Sequence, residues 1–131
     1  MASLNRHLLR ARDLMDARYA DPLDVPTLAR AAHVSPAHFS RQFKAAFGET
    51  PHQYLLTRRL ERAAALLRHT DRPVSDVCFA VGLRSVGSFT TSFGRAFGLS
   101  PAAYRASHEP ALRHARVPTC VLQAYGRPAA R

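Results

Sequence analysis

The sequence predicts an all-α fold in which one helical unit is used twice. Three observations carry that prediction. Phe39, Phe43, Phe47, Gly48, Pro51 and Tyr54 recur in the same order and spacing, about fifty residues later, as Phe89, Phe93, Phe97, Gly98, Pro101 and Tyr104. Within each copy the phenylalanines stand one helical turn apart, the spacing that lines one face of an α-helix. Each copy is also bracketed by punctuation, with Ser35 or Ser85 before the phenylalanines and Gly48 or Gly98 after them; hydroxyl residues start helices and glycines stop them.

The first element runs from about Leu4 to Tyr19, where Leu4, Leu8, Ala11, Met15 and Tyr19 share a face and Asp21-Pro22 ends the pattern. Asp24 can then cap a short helix from Val25 to Ala32, with Pro26 in its first turn and Val25, Leu28, Ala29 and Ala32 inward. His33 sits in the tight link that follows, where histidine tolerates positive φ better than most residues. Ser35-Pro36 opens the next helix, and Gly48 closes it.

A short helix, a tight turn and a longer helix describe a helix-turn-helix over about residues 24–48. From Thr50-Pro51 a long linker helix continues to about His69, with Tyr54, Leu56, Leu60, Ala63 and Leu67 inward. Its 19 or so residues span roughly 28 Å, close to the rise of about 34 Å in one turn of B-DNA. The second helix-turn-helix, about 73–98, places Val74, Val77 and Val81 where the first has Val25, Leu28 and Ala32. Gly82-Leu83 replaces His33-Val34, and Arg84 is one extra residue in the turn. Ser100-Pro101 begins a last short helix through Arg105, for about seven helices in all. Residues 1–107 form the expected folded module. Residues 108–131 form a C-terminal tail with no assigned role, in which Val117–Leu122 is a candidate extended segment against the body.

Composition narrows the partner. The 131 residues are 47% hydrophobic, enough for a core in one domain or two small lobes and too apolar for disorder throughout. Lys and Arg number 19 against 9 acids, a net charge of +10, and 18 of the 19 are Arg. A GC-rich genome accounts for the choice of Arg over Lys but not for the excess charge, which points to an anionic polymer. Cys78 and Cys120 are too few and too far apart for a disulfide framework or a zinc site, and no metal or cofactor is expected. Cys78 falls on the apolar side of its helix and reads as packing. No apolar run approaches the length of a membrane span, and the polar N-terminus lacks a signal-like apolar stretch, so a cytoplasmic protein without membrane contact is expected.

The pattern Leu28-Ala29, Val34-Ser35, Phe39-Ser40-Arg41-Gln42-Phe43-Lys44, Phe47-Gly48, Pro51 and Tyr54, with Val81-Gly82-Leu83-Arg84-Ser85 and Phe97-Gly98-Leu99-Ser100-Pro101, resembles the DNA-binding domain of the AraC/XylS transcriptional regulators. The match covers roughly Leu4 to Arg105 and is more specific in its second half. It implies a sequence-specific double-stranded-DNA-binding regulator with two recognition helices, and because the duplication already supplies two readers a monomer is expected. Because the match begins close to Met1, the chain resembles the small stand-alone members, such as the multiple-antibiotic-resistance and superoxide-response activators.

Helical geometry nominates the DNA-facing residues before the resemblance does. With Phe39, Phe43 and Phe47 inward, the positions about 100 to 200 degrees around the axis are Ala37, Ser40, Arg41 and Lys44. The resemblance assigns base contacts to Ala37, Ser40 and Arg41, and Arg41 is the strongest candidate because its fork can grip guanine; a phosphate clamp or surface ion pair is its plainer role. The matching stripe on the second recognition helix is Gly87, Thr90, Thr91 and Gly94. It lacks any long side chain, whereas relatives carry Gln or Arg there. Gly87, Thr90 and Thr91 are the base-facing candidates there. Hydroxyls and methyls can meet a phosphate or a thymine methyl, and the two glycines suggest close backbone approach more than base reading. The first unit is therefore expected to supply most sequence discrimination and the second mostly to anchor. Phosphate contacts are expected from Ser35, His38, Lys44, Arg84, Ser85, Ser88 and Arg95. Arg58 is a further candidate that, with Arg59 and Arg62, competes with pairing to an acid such as Asp76 or Glu61.

Rival classes fare worse. Gly82 to Gly87-Ser88 has the spacing of a phosphate loop but lacks its lysine and preceding strand, so no catalytic residue is assigned. A nonspecific nucleic-acid binder fits the charge, yet the aromatics fall at buried helical positions instead of forming exposed stacking platforms. A module that mainly recruits a protein such as RNA polymerase, through the tail, is the other alternative.

Overall fold

The computed structural model describes residues 2–108, with side chains from residue 6 onward. The tail, including Cys120 and Val117–Leu122, and the inward placement of Leu4 lie outside the described residues. Among those described, the chain forms seven α-helices and no strand: α1 (Ala2–Ala17), α2 (Val25–Ala31), α3 (Pro36–Phe47), α4 (Pro51–His69), α5 (Val74–Ala80), α6 (Val86–Phe97) and α7 (Pro101–Ser107). They fall into two compact units that divide between Arg58 and Arg59, within α4.

In the first unit α1, α2 and α3 pack on one another. Leu8, Ala11 and Met15 of α1, Leu28 and Ala29 of α2, Ala32 just after it, and Phe39 and Phe43 of α3 form a core completed by Leu55 from the start of α4. Phe43 anchors an aromatic cluster, with ring centroids 4.6 Å from Phe47 and 5.6 Å from Tyr54. α1 ends two residues earlier than its apolar pattern suggests, because the chain already turns at Arg18, whose carbonyl accepts the Asp21 N–H at 3.0 Å.

The second unit buries Leu60, Ala63, Ala64 and Leu67 of α4, Val77 and Cys78 of α5, and Phe89 and Phe93 of α6. Tyr104 of α7 lies 5.2 Å from Phe93 between centroids, as Tyr54 lies beside Phe43. The repetition extends to the first helix of each unit, since Leu8, Ala11 and Met15 keep the spacing of Leu60, Ala63 and Leu67. Its polar bridge changes sign. Asp16 accepts the Tyr54 hydroxyl at 2.7 Å, whereas Arg68 donates to the Tyr104 hydroxyl at 2.6 Å.

Local chemistry explains where the helices start and turn. Asp24 accepts the Thr27 N–H at 2.9 Å, Ser35 that of His38 at 3.3 Å, Ser85 that of Ser88 at 3.2 Å, and Ser100 that of Ala103 at 3.1 Å. The Asp24 carboxyl is held below the usual carboxylate range by its hydrogen bonds from Thr27, side chain before backbone. Both tight turns close in the same way. Val34 N–H reaches the Ala29 carbonyl and His33 N–H the Arg30 carbonyl; Leu83 N–H reaches Cys78 and Gly82 N–H reaches Phe79, all at 3.1 Å. This paired ending needs a left-handed residue at its corner, supplied by His33 at φ 61° and Gly82 at φ 89°.

One expectation about α4 needs correction. Leu56 is only half-buried, and Leu55 is the leucine that enters the core. A single stripe read back from Leu67 misses this because the first turns of α4 belong to the other unit and answer to that unit's core. The start of α4 is also more closely capped than Ser/Thr-Pro punctuation implies. Thr50 accepts the Gln53 N–H at 3.2 Å while Gln53 accepts the Thr50 N–H at 3.0 Å, a reciprocal capping box.

Candidate nucleic-acid interface

In the first unit the buried rings of Phe39 and Phe43 force the opposite side of α3 outward. Ala37, Arg41 and Lys44 are exposed there, with Ser40 half-buried between them. Among the described residues neither Arg41 nor Lys44 has an acidic partner, so both charges face solvent. Ser35 is exposed at the cap and His38 is half-buried beside it. The His38 N–H already binds Ser35 Oγ, which removes that amide as a phosphate donor.

Arg58 does not face outward as a phosphate contact would. Its Nε donates to Asp16 Oδ1 at 2.9 Å and its Nη2 to the Tyr54 hydroxyl at 3.1 Å, with only 13% of its side chain exposed. The acid shown to hold it is Asp16 of α1. Sequence spacing could not show this pair, because it joins residues far apart in the chain. Arg62 is buried.

In the second unit the equivalent outward stripe of α6 comprises Gly87 and Thr91, both exposed, and Thr90 and Gly94, both half-buried. Arg84, Ser85, Ser88 and Arg95 are exposed around it. Free threonine hydroxyls on this stripe could donate to phosphate. They are engaged along the helix instead: Thr90 Oγ1 donates to the Val86 carbonyl at 2.8 Å and Thr91 Oγ1 to the Gly87 carbonyl at 3.2 Å. A phosphate accepts hydrogen bonds, and these hydroxyls have no second proton to give. Sequence reasoning also passed over Val86, which is exposed in the first turn of α6. Its signal was available, since it occupies the place that Pro36 takes in the first copy.

Cys78 is fully buried, and burial pushes its thiol up, away from reactivity. Among the described residues no cluster of three or more His, Cys, Asp or Glu is placed to hold a metal ion, and no helix is long and apolar enough to cross a membrane.

A family model described as a helix-turn-helix domain matches residues 28–107. The chain is 36% identical over 83 residues to the probable transcriptional regulator LumQ of Photobacterium leiognathi, covering 63% of this chain and 34% of that protein. It is 35% identical over 101 residues to the right origin-binding protein of Escherichia coli K12, covering 75% and 35%. The chain thus spans about a third of the length of these curated relatives. Among solved structures, the DNA-binding domain of the global transcriptional factor AdpA, crystallised with a target DNA, is 36% identical with a TM-score of 0.74, covering 77% of this chain and 91% of that one. A transcriptional regulator of Chromobacterium violaceum with an AraC-type DNA-binding domain is 31% identical with a TM-score of 0.72, covering 82% and 96%. With the matched family spanning more than half of its length and both helix-turn-helix units in place, the chain belongs to the AraC/XylS family of helix-turn-helix transcriptional regulators.

Proposed function

We propose that this chain regulates transcription by binding a bipartite site in double-stranded DNA, one recognition helix to each of two successive major grooves. The observation that carries the reading is the outer face of α3, where Arg41 and Lys44 stand exposed without acidic partners on a chain of net charge +10. Arg41, with Ala37 and Ser40, reads base edges in the first half-site. Lys44, Ser35, His38, Arg84, Ser85, Ser88 and Arg95 hold the phosphate backbone, and α6 enters the second half-site with Gly87, Thr90 and Thr91 against the bases. Two different readers in one chain suit an asymmetric site bound by a monomer. The similar DNA-binding domain of AdpA was crystallised with a target DNA, which supports DNA binding by this chain.

Selection of bound duplexes from a random DNA pool, at near-physiological salt, tests the reading. Two sequence blocks about one helical turn apart are the expected result. Recovery of no motif, with affinity following salt alone, would make the chain a nonspecific basic binder.

Gly94→Ala provides a second check with effects of opposite sign. A Cβ built on Gly94 meets nothing within 4 Å, and its φ is helical, so no feature inside the protein requires glycine there. Alanine is favoured over glycine within a helix by about 0.8–1.0 kcal/mol. Gly94→Ala is therefore expected to raise the melting temperature while weakening DNA binding, because a groove wall meets the added methyl. Thermal melts and titrations on the selected site measure both; a more stable variant that binds as well as the parent contradicts close approach of α6 to DNA.

A further inference from the structure

We propose that α6 reads thymine, through contacts between its own methyl groups and the 5-methyl groups of the bases. This rests on the DNA-reading function proposed above and names the chemistry of the second half-site. Val86 is an apolar side chain exposed at the start of a recognition helix whose buried face already has Phe89 and Phe93. Thr90 and Thr91 each donate their hydroxyl proton back to the helix, at 2.8 and 3.2 Å. What these two residues retain for a partner is the Cγ2 methyl and an acceptor lone pair. Gly87 and Gly94 flank them without side chains, so on the stripe itself the methyl groups of Thr90 and Thr91 are what a groove can meet, with Val86 one turn before Thr90 and the exposed Ser88 and Arg95 at its edge.

The major-groove edges of the four base pairs differ in their donors and acceptors, and only thymine adds a methyl group. The α6 stripe, with no free donor proton and no long side chain of its own, cannot grip guanine as Arg41 can. It can exclude water from a thymine methyl, a contact that needs no hydrogen bond and gains from close approach. The two recognition helices then read by different physics. α3 uses charge and a planar donor fork, and α6 uses apolar fit, so the second block of the site is rich in thymine.

The test replaces thymine by deoxyuridine in the selected duplex, one block at a time. This deletes the 5-methyl group and leaves every hydrogen-bonding group in place. About fourfold weaker binding per contacted thymine is expected, confined to one block. Thr91→Ser, which removes the methyl and keeps the hydroxyl, is expected to reduce the preference for thymine over uracil in that block. Thr91→Val, which keeps a methyl and drops the hydroxyl, is expected to preserve that preference ratio. Equal binding of thymine and uracil duplexes in both blocks overturns the inference while leaving bipartite reading intact. So does a preference that survives Thr91→Ser and disappears in Thr91→Val. If the random pool yields no site at all, the underlying function fails and the inference fails with it.

Discussion

Arg41→Ala is expected to weaken binding to the selected site by about 1–3 kcal/mol, roughly 5-fold to 150-fold, and to relax sequence preference in one block only. The side chain is exposed with no acidic partner among the described residues, so its removal leaves the core untouched and the melting temperature close to that of the parent. The pattern of loss matters more than its size. A guanine-gripping fork loses discrimination at particular base pairs, whereas a phosphate clamp loses affinity evenly across sequences and lowers the salt dependence by about one counterion. Arg41→Lys sharpens the comparison, since lysine keeps the charge but cannot form the paired contact. Equal losses for every duplex sequence in Arg41→Ala would reassign the residue to the backbone and leave α3 without its principal reader.

Phe93→Ala is expected to have the largest effect on stability. Phe93 is fully buried and meets Phe89, Phe97 and Tyr104 at centroid distances of 5.7, 4.5 and 5.2 Å. Truncating a phenylalanine in such a setting costs about 3–5 kcal/mol, from lost burial and the cavity left behind. Total stabilities of small proteins are about 5–15 kcal/mol, so this is a large fraction. Denaturant unfolding read by linear extrapolation measures the loss. Native-state hydrogen exchange should locate it, with protection falling in α5, α6 and α7 before α2 and α3, because the two units have separate buried cores. A loss below about 1 kcal/mol would mean that the aromatic cluster of the second unit does not carry the packing assigned to it.

The readings that were legible in the sequence share a short reach. The Ser35 and Ser85 caps and the glycine stops at Gly48 and Gly98 depend on residues within one turn of each other. The same holds for the left-handed corner at His33. The capping box of Thr50 and Gln53 was equally local, and its four-residue signature was simply passed over. The engagement of the Thr90 and Thr91 hydroxyls is also local. It depends on a choice between rotamers that sequence does not specify, because threonine in a helix can turn its hydroxyl to the preceding turn or away from it.

By itself, the sequence determined the helical class, the duplication, the helix boundaries to within a few residues, and the outward stripes on α3 and α6. Each follows from helical periodicity and from hydrogen bonds between near neighbours. Only the tertiary structure decided which charges remain available to a partner and which core each turn of α4 serves. Arg58 is bound to Asp16 and Tyr54, and Leu55 displaces Leu56 from the core, because α4 is shared between two packed units. An ion pair or a core contact joins residues dozens of positions apart, and only the folded chain brings them together.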